Sequence, residues 1–239
     1  QTVKLSDKHE EVYRPFEEMG VLELPDSIDM GTAPAQSTLR CRQILNHPHN
    51  IQIPIGWDVS GKPVDFENLN LTKGKETGKD KLLAEYMAEG NQIAIFAPFV
   101  FEQEHIKEYL EGLGYKGGLI NGSVSAVQRN QVDTEFREGK LDFVIASPQT
   151  AATGFNWGFL NTVIFHSMDY GDDGFTQAIA RAKRGVRENP LRIVILEYEN
   201  TIEQLMLVKI RRSSIDSNKV SPECPVLTFP RYEGEEKAP

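Results

Sequence analysis

Apolar residues recur at two different periods along the 239-residue chain, and the change of period divides it. Near the start, Val12, Tyr13, Phe16 and Met19 fall on one face of a helix that Ser6 can cap and Gly20 ends. The Pro- and Gly-rich stretch from Leu24 to Pro34 reads as a loop. It leads to a second helix over roughly Ser37 to Leu45, stopped by Asn46-His47-Pro48. Ile51, Ile53, Ile55 and Trp57 then alternate at period two, turn at Ser60-Gly61 and return through Val64 and Phe66, which predicts a hairpin. Pro54 assigns that hairpin to an edge.

From residue 79 onward, helices alternate with short, wholly apolar runs. Leu82, Leu83, Tyr86 and Met87 mark a helix ended by Gly90, and Ile93 to Phe96 is a strand of the buried kind. A helix through Phe101, Ile106, Leu110 and Leu113 precedes a short strand at Leu119-Ile120. Ser125 with Gln128 forms a capping box for a helix closed by Gly139. Further strands are expected at Phe143 to Ala146, Thr162 to Phe165 and Ile193 to Leu196. Helices are expected over about Gly174 to Arg184 and through Ile202, Leu205, Met206 and Ile210. Such alternation requires crossover connections, hence an α/β fold with a largely parallel sheet covered by helices on both faces. Three regions follow: a helical and hairpin segment over 1–72 packing on a lobe over 73–212, and a loop-like or disordered tail over 213–239.

Composition narrows the chemistry. Cys41 and Cys224 lie far apart without metal-ligand spacing, so neither a disulfide framework nor a zinc site is predicted from cysteine usage. No apolar run approaches the ~18 residues needed to span a bilayer, and no charged leader precedes one, so an intracellular, cytoplasmic protein is expected. Gln1, in place of an initiator Met, reads as the start of a fragment or processed piece. The net charge of −9 argues against coating nucleic acid by bulk attraction. It leaves room for a local track such as Arg181 to Arg192, where five basic residues face the single acid Glu188.

Two segments invite a phosphate reading. Lys73 to Asp80, KGKETGKD, fails as a phosphate-cradling loop: Lys73 stands where Gly belongs, Asp80 where a magnesium-binding hydroxyl belongs, and no strand runs into it. An ordinary flexible basic loop is expected there. Asp172-Asp173 likewise has no strand before it, so no magnesium motif is present and no metal ligand is assigned. QAIARAKR over Gln177 to Arg184 differs, because Gln177, Arg181 and Arg184 are spaced four and three and can converge on one anion from one helix face. A basic surface helix is the plain alternative.

The order of these pieces resembles the C-terminal motor lobe of superfamily-two helicases, within them the Swi/Snf-type DNA-dependent ATPases. RQILNHP (Arg42 to Pro48) looks like the segment that precedes that lobe. IAIFAPF (Ile93 to Phe99), NGS followed by Arg129, TGFNW (Thr153 to Trp157) and QAIARAKR are similar to successive motifs of the lobe itself. Gln149 stands where the family carries a basic residue, Ala151-Ala152 where it carries glycines, and Gly185-Val186 where it carries an apolar residue, Gly and Gln. With large insertions lacking, a compact viral or bacterial relative is expected.

The resemblance implies a RecA-like lobe acting on ATP and Mg²⁺, whose Walker lysine and magnesium ligands belong to an N-terminal RecA-like lobe of the same protein. It implies Arg184 as arginine finger with Arg181 beside it, Gln177 positioning water or phosphate, and Gly154 and Asn156 at the nucleotide cleft. Ser123, Arg129, Gln149 and Thr150 are the expected nucleic-acid contacts, duplex DNA being the expected substrate of a translocase or helicase. By itself the lobe is expected to be inactive. Two alternatives stay open: a non-catalytic RecA-like module that binds nucleic acid or protein, and a nucleotide-sugar-binding Rossmann half, against which the lack of a GxGxxG loop weighs.

Overall fold

The computed structural model describes residues 1–19, 21–23, 28–30, 34–60, 63–151, 155–169, 172–182 and 190–220. Its first elements are β1 (Thr2–Val3), α1 (Asp7–Met19), the small antiparallel pair β2 (Val21–Glu23) and β3 (Ile28–Met30), α2 (Pro34–Asn46), and the antiparallel ribbon β4 (Ile51–Trp57) and β5 (Pro63–Leu69). The stretch expected as a plain loop between the first two helices therefore includes a strand pair, too short to show any period. The second helix starts at Pro34, three residues earlier than expected, because a proline without an amide donor suits a first helical position. Tyr13, Phe16, Ile44, Leu45, Ile51, Ile53 and Tyr198 pack into one cluster, so this segment lies on the last strand among the described residues.

The remaining elements are α3 (Gly78–Ala88), β6 (Ile93–Phe96), α4 (Val100–Gly112), β7 (Gly117–Ile120), α5 (Ala126–Arg137), β8 (Phe143–Ala146), α6 (Pro148–Ala151), β9 (Thr162–Phe165), α7 (Asp172–Ala182), β10 (Arg192–Ile195), β11 (Glu197–Tyr198) and α8 (Ile202–Val220). Five strands form one wholly parallel sheet in the order β10-β9-β6-β8-β7. Strands β6, β8 and β9 are buried at every position, as apolar runs without polar alternation require.

Side chains of alternate strand positions separate cleanly between the two faces. Ala94, Phe96, Val144, Ala146, Val163 and Phe165 meet α5, α7 and α8, whereas Ile93, Ile95, Phe143, Ile145 and Ile164 meet α3 and α4. The expected capping box at Ser125/Gln128 is formed, and a further one is present at Thr77/Asp80. Gly90 and Gly139 follow α3 and α5 with φ of +77° and +72°, values a side chain would resist. Helix α8 continues to Val220, which corrects the expectation of loop from residue 213; its polar last turns lack the apolar period that would have announced them.

Candidate nucleotide and nucleic-acid face

The pairing register brings the strand ends into one row. Phe96 pairs with Ala146 and Phe165, Ile120 with Ala146, and Ile195 with Phe165, so β7, β8, β6, β9 and β10 all stop at the same edge. The ladder runs one residue further through His166 N to Phe96 O (2.9 Å), Ala97 N to Ala146 O (3.1 Å) and Ser147 N to Ile120 O (3.3 Å). Segments far apart in the chain therefore emerge side by side: Ala97 to Phe99, Asn121 to Ser123, Ser147 to Thr150, and His166 to Asp169. In open parallel sheets this carboxyl edge is where ligands bind.

Each expected nucleic-acid residue sits at or near this edge in a defined local setting. Ser123 is exposed and its hydroxyl donates to Asn121 Oδ1 at 2.6 Å, while Asn121 is anchored by donating to the buried Gln103 side chain. Gln149 is exposed on α6 and donates to Asp169 Oδ2 at 3.2 Å. The Thr150 hydroxyl accepts from Ser147 Oγ at 2.7 Å. Arg129 is half-buried on the first turns of α5, and no carboxylate engages it among the described residues. Gln149 is thus partly occupied by Asp169, a restraint a basic residue at that place would meet as an ion pair.

For the nucleotide residues the description is narrower. Gln177 is exposed on α7 while Phe175, Ala178, Ile179 and Ala182 bury the opposite face. That amphipathic arrangement holds α7 against the sheet and turns Gln177 outward. Arg181 lies in α7, with only its backbone described. Arg184 and Gly154 lie outside the described residues. Asn156 is exposed, its Oδ1 accepting from Gly158 N at 3.4 Å.

Behind the edge lies a buried polar core that sequence reasoning missed. Lys79, expected in a flexible basic loop, is fully buried, and so is Asp80. Lys79 Nζ donates to Asn46 Oδ1 (2.8 Å), His166 O (2.7 Å) and Glu203 Oε1 (2.8 Å), which uses all three ammonium protons. Glu203 Oε2 accepts from Tyr198 N, and the Glu102 carboxylate accepts from His166 Nδ1 at 2.5 Å. A buried ammonium persists only with such complete pairing. Its sequence signal was present: Thr77 and Asp80 carry capping-box chemistry, and a capped helix start is ordered rather than flexible.

The segment preceding the lobe reaches the same edge. Arg42 Nη2 donates to Met168 O (3.0 Å), its Nη1 lies 3.2 Å from Asp169 Oδ1, and its guanidinium stacks 4.9 Å from the Phe99 ring centre. Asp169 therefore joins Arg42 to Gln149. His47 meets Phe99 edge-on, and burial lowers its imidazole pKa.

Residues 78–186 match the family model of the helicase conserved C-terminal domain. Over these residues the chain is similar to the C-terminal lobe of Swi/Snf-type superfamily-two helicases. The lobe is similar to chromodomain-helicase-DNA-binding protein 1-like of Danio rerio, 26% identical over 169 residues, covering 70% of this chain and 16% of that protein. It is also similar to the Caenorhabditis elegans SWI/SNF-related matrix-associated actin-dependent regulator of chromatin subfamily A containing DEAD/H box 1 homolog, 28% identical over 147 residues, 61% of this chain and 15% of the relative. The chain thus spans about a sixth of these relatives' length. Among solved structures, the C-terminal part of the Fun30 ATPase domain superposes with a TM-score of 0.69 over 88% of this chain and 86% of that one, at 17% identity, which establishes the shared fold. No helix among the described residues is long and apolar enough to cross a membrane.

Proposed function

We propose that this lobe is the second half of an ATP-driven motor that moves along duplex DNA inside the cell, working with an N-terminal RecA-like lobe of the same protein. The observation that carries the reading is the common edge at which four segments, three of them motif-bearing, emerge in register. An edge of that kind can face a nucleotide and a phosphate backbone together, and the names of the relatives, a probable ATP-dependent helicase of Plasmodium falciparum among them, support that use.

In this reading the partner lobe holds ATP, the Walker lysine and Mg²⁺. Arg184, with Arg181 beside it, arrives at the γ-phosphoryl group when the lobes close, and Gln177 orients water or phosphate. Charge spreading over the transferred oxygens is then met by a guanidinium, a contribution on the order of 10³–10⁵ in rate for arginine fingers. Gly154 and Asn156 connect the nucleotide cleft to the nucleic-acid track formed by Ser123, Arg129, Gln149 and Thr150. Phosphate contacts of this kind position the motor without reading sequence. Opening and closing of the cleft shift one lobe along the backbone relative to the other.

The test is DNA-stimulated ATP hydrolysis by the lobe joined to a Walker-bearing N-terminal lobe, comparing native protein with Arg184→Ala and Arg184→Lys. Stimulation that collapses in both variants is expected, because lysine keeps the charge but loses the planar fork. Stimulation surviving in Arg184→Lys would refute the finger. No stimulation of the native protein would leave the non-catalytic binding module as the function.

A further inference from the structure

Away from the strand-end edge, three segments bring two imidazoles and a carboxylate together. His49 lies in the turn between α2 and β4, Asp80 in the first turn of α3, and His105 on α4. His105 Nε2 is 3.0 Å from Asp80 Oδ1, His49 Nε2 is 4.0 Å from Asp80 Oδ2, and the three ligand atoms all lie within 4.8 Å of one another. Two ligands each about 2.0–2.1 Å from a tetrahedral ion stand ~3.3 Å apart, so the observed separations bracket the spacing a shared ion needs.

The hydrogen bonds around His49 accommodate the tautomer that leaves Nε2 able to ligate. The single Thr72 hydroxyl proton lies between two acceptors, Asn70 Oδ1 at 3.0 Å and His49 Nδ1 at 2.7 Å. With that proton given to Asn70, His49 carries its own on Nδ1 and a lone pair on Nε2, the tautomer a metal ligand needs. That Nε2 is buried and has no hydrogen-bond partner. A buried unpaired acceptor is costly, and a cation is the group that lone pair fits. The Nδ1–H to Thr72 contact is the outer-shell bond that ligating histidines ordinarily make. Asp80 Oδ2 accepts from the Thr77 amide at 2.7 Å and Oδ1 from His105 Nε2 at 3.0 Å, so an ion bound here takes the place of the His105 Nε2 proton, which is released to solvent.

We propose that His49, Asp80 and His105 bind a divalent transition-metal ion of the zinc class, with water completing a four-coordinate shell. Imidazole nitrogens with one carboxylate suit Zn²⁺ and its neighbours, whereas Mg²⁺ and Ca²⁺ demand oxygen-rich shells. The two rings are stacked with centroids 3.4 Å apart and 20° between planes. Binding requires the rings to fan apart about their side-chain torsions so that both lone pairs meet at the ion. Both histidines retain some exposure, which supplies the entry path and the water position. Because His49 precedes the lobe while Asp80 and His105 belong to it, the ion acts as a clamp between the two.

The experiment titrates the full chain, with imidazole nitrogens labelled with ¹⁵N, with ZnCl₂ and in parallel with CoCl₂. The expected result is one saturable equivalent, tetrahedral Co²⁺ absorption, and Nε2 shifts confined to His49 and His105 among the five histidines. Before metal is added, His49 should show the Nδ1-protonated tautomer. Thr72→Val should weaken binding by about tenfold or more, and His105→Gln by well beyond the roughly tenfold to hundredfold that an outer-shell change costs. No saturable binding, shifts at His9, His47 or His166 instead, or native affinity in His105→Gln would each overturn the site. The native-protein spectra decide the matter even if a variant fails to fold.

Discussion

Ribbon β4–β5 and the central strands β6, β8 and β9 are built from similar apolar residues, yet they meet opposite environments. Ile95 and Phe96 are 0% exposed, whereas Ile55, Trp57 and Phe66 are 50%, 59% and 45% exposed. What separates them is coverage. A central strand is paired on both sides and covered on both faces, while the ribbon has two edges and sets only one end, Ile51, Ile53 and the partly buried Leu69, against the N-terminal cluster. β-propensity states that a residue suits a pleated surface and leaves open whether anything packs on that surface.

The same substitution placed in both regions tests this most severely. Ile95→Asp buries a carboxylate with no partner between α3 and α4 and should cost more than about 5 kcal/mol, enough to prevent folding. Ile55→Asp should fold and shift the urea midpoint by an amount equivalent to about 0.5 kcal/mol. Comparable losses at both positions would show that the ribbon is covered in solution. A smaller but still large effect is expected at Lys79, where Lys79→Ala strands Glu203 in the interior and should cost about 3–5 kcal/mol. Native stability in that variant, by denaturant unfolding, would mean the buried pair is not held as described.

Acid should act through the N-terminal cluster next. Burial pushes the His9 imidazole down to about 4, with Lys79 adding in the same direction against the bond to Ile44 O. The unfolded chain takes up that proton near pH 6.5 and the folded chain does not until about 4. Stability is therefore complete above pH 6.5 and falls as pH drops toward 4, by up to about 3 kcal/mol for this group. Denaturant midpoints measured across that window should decline, and should decline less in His9→Leu; equal slopes would remove His9 as the cause. The smallest effect belongs to the ribbon tip, where Trp57→Ser should stay within about 0.5 kcal/mol by thermal unfolding.

The α/β alternation was legible because buried strands and amphipathic helices write strong local patterns, and Ser125 with Gln128 marked its helix start outright. The segments expected at strand ends likewise fall along one edge of the sheet. What escaped notice depends on partners distant in the chain. Lys79 resembled a loop lysine until Asn46, His166 and Glu203 closed around it, 33, 87 and 124 positions away. Gln149 as a nucleic-acid contact said nothing of Asp169, which occupies it internally, and Arg42 reached the edge from a segment assigned only to precede the lobe.

Thr2 and Val3 pair in parallel with Glu197 and Tyr198, and Glu199 N donates to Val3 O at 2.8 Å. Closing a loop of 195 positions carries an entropic cost of about 5 kcal/mol, which two residue pairs cannot meet until the structure between them already stands. In time, then, this contact comes late: the five-stranded sheet and α8 assemble, and only afterwards does the leading strand find its place beside β11. The amide of Glu199 should accordingly be among the last to gain protection during refolding and exchange with solvent sooner than those of β6.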